Sequence, residues 1–273
     1  MGYKRILTIQ DISCVGQCSM TVALPILSAC GHETCILPTA LLSTHTGGFG
    51  KPTVVHFDDA LEGIWRHWQE QGITFDAILV GDLGSIPAVR TAARIIGEML
   101  APDGVAVVDP AMADHGKLYS GLTLEYAQAM AGLSRKAHIV LPNLTEAAML
   151  AGIAYPKNRD DVDLKSLMKA MNLERVVLTG VSHNPEQTGA AVWEGKQLRF
   201  CSHPRMEQSY HGTGDMFAAA FTGALLQGKN LVEAAEIAGR FTLRAIENTQ
   251  NQPAHWYGVK FETALPYLTE LLS

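Results

Sequence analysis

Phe75-Asp76-Ala77-Ile78-Leu79-Val80-Gly81-Asp82-Leu83-Gly84-Ser85 is the stretch on which the fold turns. The apolar run Phe75–Val80 predicts a strand, and it breaks at once into a Gly/Asp/Ser turn. Pro87–Leu100 then carries a helical pattern with proline near its start, where a missing N–H costs nothing. The same theme recurs downstream. Gly104–Val108 predicts a strand ending at Asp109-Pro110, and Thr123–Leu133 a helix. His138–Leu141 predicts a strand ending at Pro142-Asn143, with helices over Thr145–Ala151 and Asp163–Met171. Arg175–Leu178 predicts a strand ending at Thr179-Gly180.

The flanks extend the pattern. Arg5–Ile9 reads as a strand ending at Gln10-Asp11, and Ser19–Cys30 as a helix bent at Pro25. Thr34–Leu42 and Thr53–Phe57 read as extended. Asp58-Asp59 opens a helix reaching Gln71, with acids suited to its first turn. Gly189–Trp193 and Gln197–His203 predict a hairpin around Glu194-Gly195. Helices are expected over Gly214–Leu226, Leu231–Glu247 and Glu262–Leu272. Strands alternating with helices predict βαβ crossovers, hence an α/β fold: a mainly parallel central sheet flanked by helices. No linker, repeat or low-complexity tract interrupts residues 1–273, so one domain is expected.

Composition narrows the function classes. The chain has 273 residues, 47% hydrophobic and 18% charged, with a formal net charge of −6. No block of Lys and Arg supplies a nucleic-acid footprint. Ile12 to His32 lacks formal charge, but its Ser, Gln, Gly and Pro make it too polar to span a membrane. The first apolar run is too short for a signal peptide, so a cytoplasmic location is expected. The cysteine count is 5, and a disulfide scaffold is not expected in a chain of this size. Cys14-x3-Cys18 lacks a second pair at zinc spacing, and the cysteines read as buried small hydrophobes.

Polar residues gather just after the predicted strands, where ligands sit in open α/β sheets. The strongest signal is Gly212-Thr213-Gly214-Asp215, followed by an apolar helix. Its glycines let the backbone approach a ligand, and the helix N-terminus offers free N–H groups to an anion. Asp215 could take a proton from an attacking hydroxyl; the plain alternative is an acid favouring a helix dipole. Asp109-Pro110-Ala111-Met112-Ala113-Asp114 places two carboxylates at a strand end, suited to Mg2+ or to a turn. In Asn143-x-x-Glu146 a capping box competes with a metal-bound water site. Ser43-Thr44-His45-Thr46-Gly47-Gly48 suits a mobile loop over a small polar substrate, or any flexible loop. Gly223–Asn230 imitates a phosphate-binding loop but ends in Asn and closes a helix, with Gly228 as its stop.

Taken in order, these pieces resemble the pyridoxal kinase family of the ribokinase-like superfamily. Asp11, Ser43-x-His45-Thr46, Gly81-x-x-Gly84-Ser85, Asp109-Pro110-x-Met112-x-Asp114, Asn143-x-x-Glu146, Thr179-Gly180 and Gly212-Thr213-Gly214-Asp215 carry the likeness, over Lys4 to Glu247. The resemblance implies a ribokinase-like three-layer sandwich. It also implies transfer of the ATP γ-phosphate to the 5′-hydroxymethyl group of pyridoxal, pyridoxine or pyridoxamine. Asp215 then corresponds to the catalytic base, and Gly212, Thr213 and Gly214 to the anion hole. Asp109, Asn143, Glu146, Thr179 and Thr213 correspond to ATP contacts, with His203–Met206 a looser match. Asp109, Asp114, Tyr119 and Glu146 surround the expected Mg2+, and Asp11, Thr46, Asp82 and Asp215 the vitamin. The family is commonly a homodimer, and many members respond to K+.

Three positions depart from it. Asp11 stands where Ser is common, Asp82 where Tyr is common, and Ala113 where Gly is usual. The two acids would favour pyridoxamine, through a charge-assisted hydrogen bond to its amine. The neighbouring reading is a hydroxymethylpyrimidine or hydroxymethylpyrimidine-phosphate kinase. A sugar kinase would need a lid that is not evident between the first two strands. A non-catalytic vitamer-binding protein would not need Asp215, Asp109 and Glu146 intact. A dinucleotide oxidoreductase would need a Gly-x-Gly-x-x-Gly after the first strand.

Overall fold

The structure is a computed structural model that describes residues 3–156, 162–181, 184, 186–206 and 210–273. Its strands are β1 (Arg5–Ser13), β2 (Glu33–Leu42), β3 (Val54–His56), β4 (Phe75–Val80), β5 (Leu100–Val108), β6 (Ala113–Asp114), β7 (Lys117–Leu118), β8 (Ile139–Val140), β9 (Arg175–Thr179), β10 (Gln187–Glu194) and β11 (Gln197–Pro204). A nine-stranded sheet runs β11-β10-β9-β8-β5-β4-β1-β2-β3, and β6-β7 form a separate hairpin. The six strands from β9 to β2 pair in parallel. The outer strands β3, β10 and β11 pair antiparallel.

Helices cover both faces. The helices are α1 (Met20–Ala29), α2 (Asp58–Glu70), α3 (Ile86–Met99), α4 (Leu124–Ser134), α5 (Leu144–Ala151), α6 (Leu164–Met171), α7 (Thr213–Leu226), α8 (Leu231–Thr249) and α9 (Leu265–Leu272). Ile6, Ala77, Leu79 and Val107 pack against α1, α7, α8 and α9 through Ile26, Phe221, Phe241 and Leu268. Leu7, Ile9, Ile78, Val80 and Val108 face the other way, onto α2 to α6 through Leu61, Ile95, Met130, Leu150 and Met168. Alternate residues of one strand thus feed two cores, which is why the central strands are apolar throughout.

Several expectations shift on folding. Pro25 lies inside α1 without ending it. Val22, Ala23, Ile26 and Leu27 are 0% exposed, and their packing holds the helix through the proline. Strand β5 starts at Leu100 rather than Gly104, because Leu100 already pairs with Phe75 before an irregularity in register. Hairpin β6–β7 was not anticipated; it turns on His115 (φ 50°) and Gly116 (φ 77°), a tight two-residue turn without the usual Asn-Gly. Helix α9 begins at Leu265, after a 3-10 turn over Phe261–Ala264. The Gly223–Asn230 segment ends α7 and starts α8: Gly228 has φ 86°, and Asn230 caps α8 with Glu233. Of the cysteines, Cys30 and Cys201 are buried as expected, but Cys14 is exposed.

Candidate active site

The parallel strands end in line, and hydrogen bonds tie each end to its neighbour. The Asp11 N–H donates to the Asp82 carbonyl at 2.9 Å, and the Asp109 N–H to the Val80 carbonyl at 2.8 Å. Leu141 N–H donates to Val108 at 2.9 Å, and Thr179 N–H to Pro142 at 2.9 Å. Asp11, Asp82, Asp109, Asn143 and Thr179 thereby share one edge of the sheet, at the carboxyl ends where a ligand crevice is expected.

Helix α7 begins at this edge. Its N-cap Gly212 has φ 78°, and a Cβ there would run into the Gln17 carbonyl, so glycine is required. Thr213 donates its hydroxyl to the Tyr210 carbonyl at 3.2 Å. Asp215 lies in the first turn, with the Ser19 main chain close to its carboxylate. A Cβ placed on Gly214 would stand 3.9 Å from the Asp109 Oδ2, so Asp109 and the helix terminus face each other closely. Amide dipoles converge here on one side and carboxylates on the other.

Burial dominates the electrostatics. It raises Asp215 to about 6, aided by the Asp11 charge and opposed by the Ser19 N–H. Burial raises Asp82 to about 8, with Asp11 the next cause. Asp109 is held well above the usual range by burial and then by Glu146 and Asp215. Glu146 rises to about 7 by burial, against hydrogen bonds from Asn143, Met112 and Ala113. Asp11 is raised by burial, against the Ser19 and Ser13 hydroxyls. Burial and the charges of Glu146, Asp109 and Asp114 push the Tyr119 phenol up.

Asn143 and Glu146 form the capping box of α5, and the same atoms clamp the segment after β5. Glu146 Oε2 accepts the Asn143 N–H at 2.9 Å, while Oε1 accepts those of Met112 at 3.0 Å and Ala113 at 3.4 Å. Asn143 Nδ2 donates to the Ala113 carbonyl at 2.7 Å. Asp114 accepts the His115 N–H at 2.7 Å within its own hairpin. Among the described residues no three His, Cys, Asp or Glu side chains gather closely enough to hold a metal. Hairpin β6–β7 carries Asp114 to the surface, where it accepts the His115 N–H, while Asp109 and Glu146 stay at the edge of the sheet. Mg2+ commonly keeps several waters and takes one or two carboxylates plus phosphate oxygens, so Asp109 and Glu146 still fit such an ion.

Thr46 is exposed in the loop after β2, and Thr179 at the end of β9 donates to the Pro142 carbonyl at 3.3 Å. His203 and Pro204 end β11, with Gly239 of α8 packed near the His203 ring. Sequence reasoning missed three contributors. Ser19 has φ 52° and ψ −127°, bridges Ile12 and favours the ionised forms of Asp11 and Asp215. Tyr126 of α4 brings a buried phenol whose pKa is raised by burial and by the Asp82 charge. The third is an aromatic clasp. His45 Nε2 lies 2.9 Å from the Tyr257 carbonyl and its Nδ1 accepts the Gly47 N–H at 2.9 Å, while Phe49 packs on Trp256 at 4.6 Å. The run His255-Trp256-Tyr257-Gly258 was the available signal, since three rings in a predicted loop call for a partner.

A doubly covered, mainly parallel sheet, with acids at its carboxyl edge and a glycine-led helix terminus opposite, defines a small-molecule kinase of the ribokinase-like superfamily. The family described as phosphomethylpyrimidine kinase matches residues 27–259. A pyridoxal kinase structure from Lactobacillus plantarum is 32% identical, covers 99% of this chain and 98% of its own, and superposes with a TM-score of 0.92. A structure from Bacteroides thetaiotaomicron, provisionally described as a phosphomethylpyrimidine kinase and solved with pyridoxal, is 32% identical over 98% of this chain and 96% of its own, with a TM-score of 0.91. The pyridoxine/pyridoxal/pyridoxamine kinase of Bordetella avium is 29% identical over 90% of this chain and 85% of its own length. The chain belongs to the phosphomethylpyrimidine kinase family, in its pyridoxal kinase branch.

Proposed function

We propose that the chain transfers the γ-phosphate of ATP to the 5′-hydroxymethyl group of a vitamin B6 vitamer, in salvage of pyridoxal 5′-phosphate. The observation that carries this reading is Asp215 in the first turn of α7, close to the Ser19 main chain and raised to about 6. Such a group is ionised at neutral pH yet basic enough to accept the alcohol proton. The N–H groups of Gly212, Thr213 and Gly214 meet the charge that develops on the phosphoryl oxygens. Phosphoryl transfer needs positioning and charge stabilisation more than covalent help.

Asp109 and Glu146 would hold Mg2+ largely through water, with Tyr119 nearby; the ion neutralises triphosphate charge. Glu146 also keeps the 109–114 segment in place through its bonds to Met112 and Ala113. Asn143, Thr179 and Thr213 line the nucleotide side, and Asp11, Thr46 and Asp82 the vitamin side. The protein works as a homodimer in the cytoplasm, with K+ as an activating ion. No helix among the described residues is long and apolar enough to cross a membrane.

A coupled ADP-release assay with ATP and Mg2+ tests the reading, using pyridoxal, pyridoxine, pyridoxamine and hydroxymethylpyrimidine, with and without K+. Phosphorylation of at least one vitamer is expected. Turnover of hydroxymethylpyrimidine alone would instead favour the alternative that the family description carries.

A further inference from the structure

Gln17 lies in the loop after β1, yet both ends of its amide are held by residues near the other end of the chain. Its Nε2 donates to Glu262 Oε1 at 2.8 Å, and its Oε1 lies 3.0 Å from His255 Nε2. A carboxylate can only accept, so the amide nitrogen faces Glu262, and the amide oxygen accepts from His255 Nε2. The two bonds span 245 and 238 residues of sequence. A Cβ placed on Gly258 would stand 2.7 Å from the Gln17 Cβ, so the main chain of the same segment also closes on this side chain.

The holding segment is itself anchored. Val259, Phe261 and Ala264 are buried in the core that contains Phe241 and Leu268. The Lys260 N–H donates to the Thr249 hydroxyl of α8 at 2.9 Å. The His255 ring packs on Tyr257 with 4.5 Å between ring centroids. Residues 255–262 thus form a strap, rooted beside α8, that reaches out to Gln17.

The main chain of Gln17 meets α7. Its carbonyl occupies the space that a Cβ on Gly212, the N-cap of α7, would need. Close-packed contacts of this kind transmit displacement, so a shift of Gln17 is felt at the helix terminus. The same loop bears on its neighbour: the Val15 carbonyl accepts the His45 N–H at 3.0 Å, and a Cβ on Gly16 would overlap the His45 ring. The two bonds to the Gln17 side chain add only modestly to stability. A small misplacement of donors that meet transferring charge costs far more in rate.

We propose that Gln17 is a positioning residue for phosphoryl transfer: it ties the 255–262 strap to the N-cap of α7 and so sets where the N–H groups of Gly212, Thr213 and Gly214 stand. The inference rests on the reading above, in which those groups receive the phosphoryl charge.

The test is steady-state ADP release, at a temperature where circular dichroism shows each protein folded, for the wild type, Gln17→Glu, Glu262→Gln and the double variant. Gln17→Glu removes the donor and sets one carboxylate against another. Adding Glu262→Gln reverses the bond: the amide at 262 donates to the carboxylate at 17, which still accepts from His255. Gln17→Glu is expected to lower kcat about tenfold with both KM values within about twofold, the mark of an interaction needed in the transition state. Glu262→Gln keeps an acceptor for Gln17 and should stay near wild type, and the double variant should recover to within about twofold. An unchanged kcat in Gln17→Glu, even with a lower melting temperature, would overturn the inference and leave the kinase reading standing. A loss that the double variant does not recover would overturn it too. If Gln17→Glu fails to fold, Glu262→Ala decides the matter: this exposed residue should still cost kcat about fivefold, and an unchanged kcat would overturn the inference. A wild type that releases ADP with no vitamer and no hydroxymethylpyrimidine would sink the kinase reading together with this inference.

Discussion

The main chain of Ser19 lies close to the carboxylate of Asp215 and favours its ionised form. It does so from φ 52° and ψ −127°, a region that glycine enters freely and other residues rarely adopt. The isolated bridge between Ile12 and Ser19 brings the residue there, folding the 13–18 loop back over the end of β1. Strain in the backbone is thus coupled to the surroundings of Asp215.

That strain should be measurable. Ser19→Gly and Ser19→Ala both keep the N–H and both lose the hydroxyl, so they differ mainly in backbone cost. Ser19→Gly is expected to be more stable than Ser19→Ala by about 1 kcal/mol in urea unfolding. Equal midpoints would show that Ser19 is not strained.

Asp215 must be ionised to accept a proton, and its pKa is raised to about 6. The turnover rate should therefore be level at neutral pH and fall about tenfold per unit well below pH 6. Asp215→Asn should lose about 100- to 10,000-fold in kcat while still binding ATP by calorimetry. Near-normal turnover in that variant would remove Asp215 as the base.

Asp82 carries a stability prediction of definite sign. Its pKa is about 8 in the folded protein, against about 4 in an unfolded chain. Between those values the folded state binds the proton more tightly, so stability is lost as pH rises through this window. Asp11, Asp215 and Glu146 face Asp82 and contribute to the same slope. Asp82→Asn should flatten the fall in melting temperature and raise it by roughly 2 °C or more near pH 8. Parallel curves for variant and wild type would mean that Asp82 titrates normally.

Glu146 has a structural task beside the chemical one proposed for it. Its oxygens accept three main-chain N–H groups at 2.9, 3.0 and 3.4 Å. Glu146→Gln must turn an amide N–H toward one set of donors, and about 1–3 kcal/mol of stability should be lost. The Mg2+ concentration for half-maximal activity should rise as well. A variant that unfolds early but keeps its Mg2+ dependence would confine Glu146 to the cap.

His45 fastens the loop after β2 to the segment around Tyr257, on the side proposed above for the vitamer. Burial lowers its pKa, and the Tyr257 carbonyl and Gly47 N–H engage both ring nitrogens. His45→Ala should raise KM for the vitamer by about tenfold and leave KM for ATP much less affected, since the loop adjoins one substrate. Equal changes in both constants would point to a general loosening.

Much of this was legible in the sequence. The alternation of apolar runs with helical stretches determined a parallel sheet covered on both faces, because strand and helix periods are local properties of the chain. Gly212-Thr213-Gly214-Asp215 determined a helix terminus with an acid in its first turn for the same reason. Gly228 identified a helix stop, where a phosphate-binding loop would have been a wrong reading, and folding added Asn230 as the cap of the next helix. Asn143 and Glu146 left two roles open, and folding showed the cap to be real and joined to the segment after β5. The approach of Ser19 to Asp215, the clasp of His45 and Tyr257, and the pairing of Asp11 with Asp82 span from 71 to 212 residues of sequence. Such contacts leave no periodic trace. They follow from which strand ends lie side by side, and a field of like charges exists only once the sheet has brought its carboxylates together.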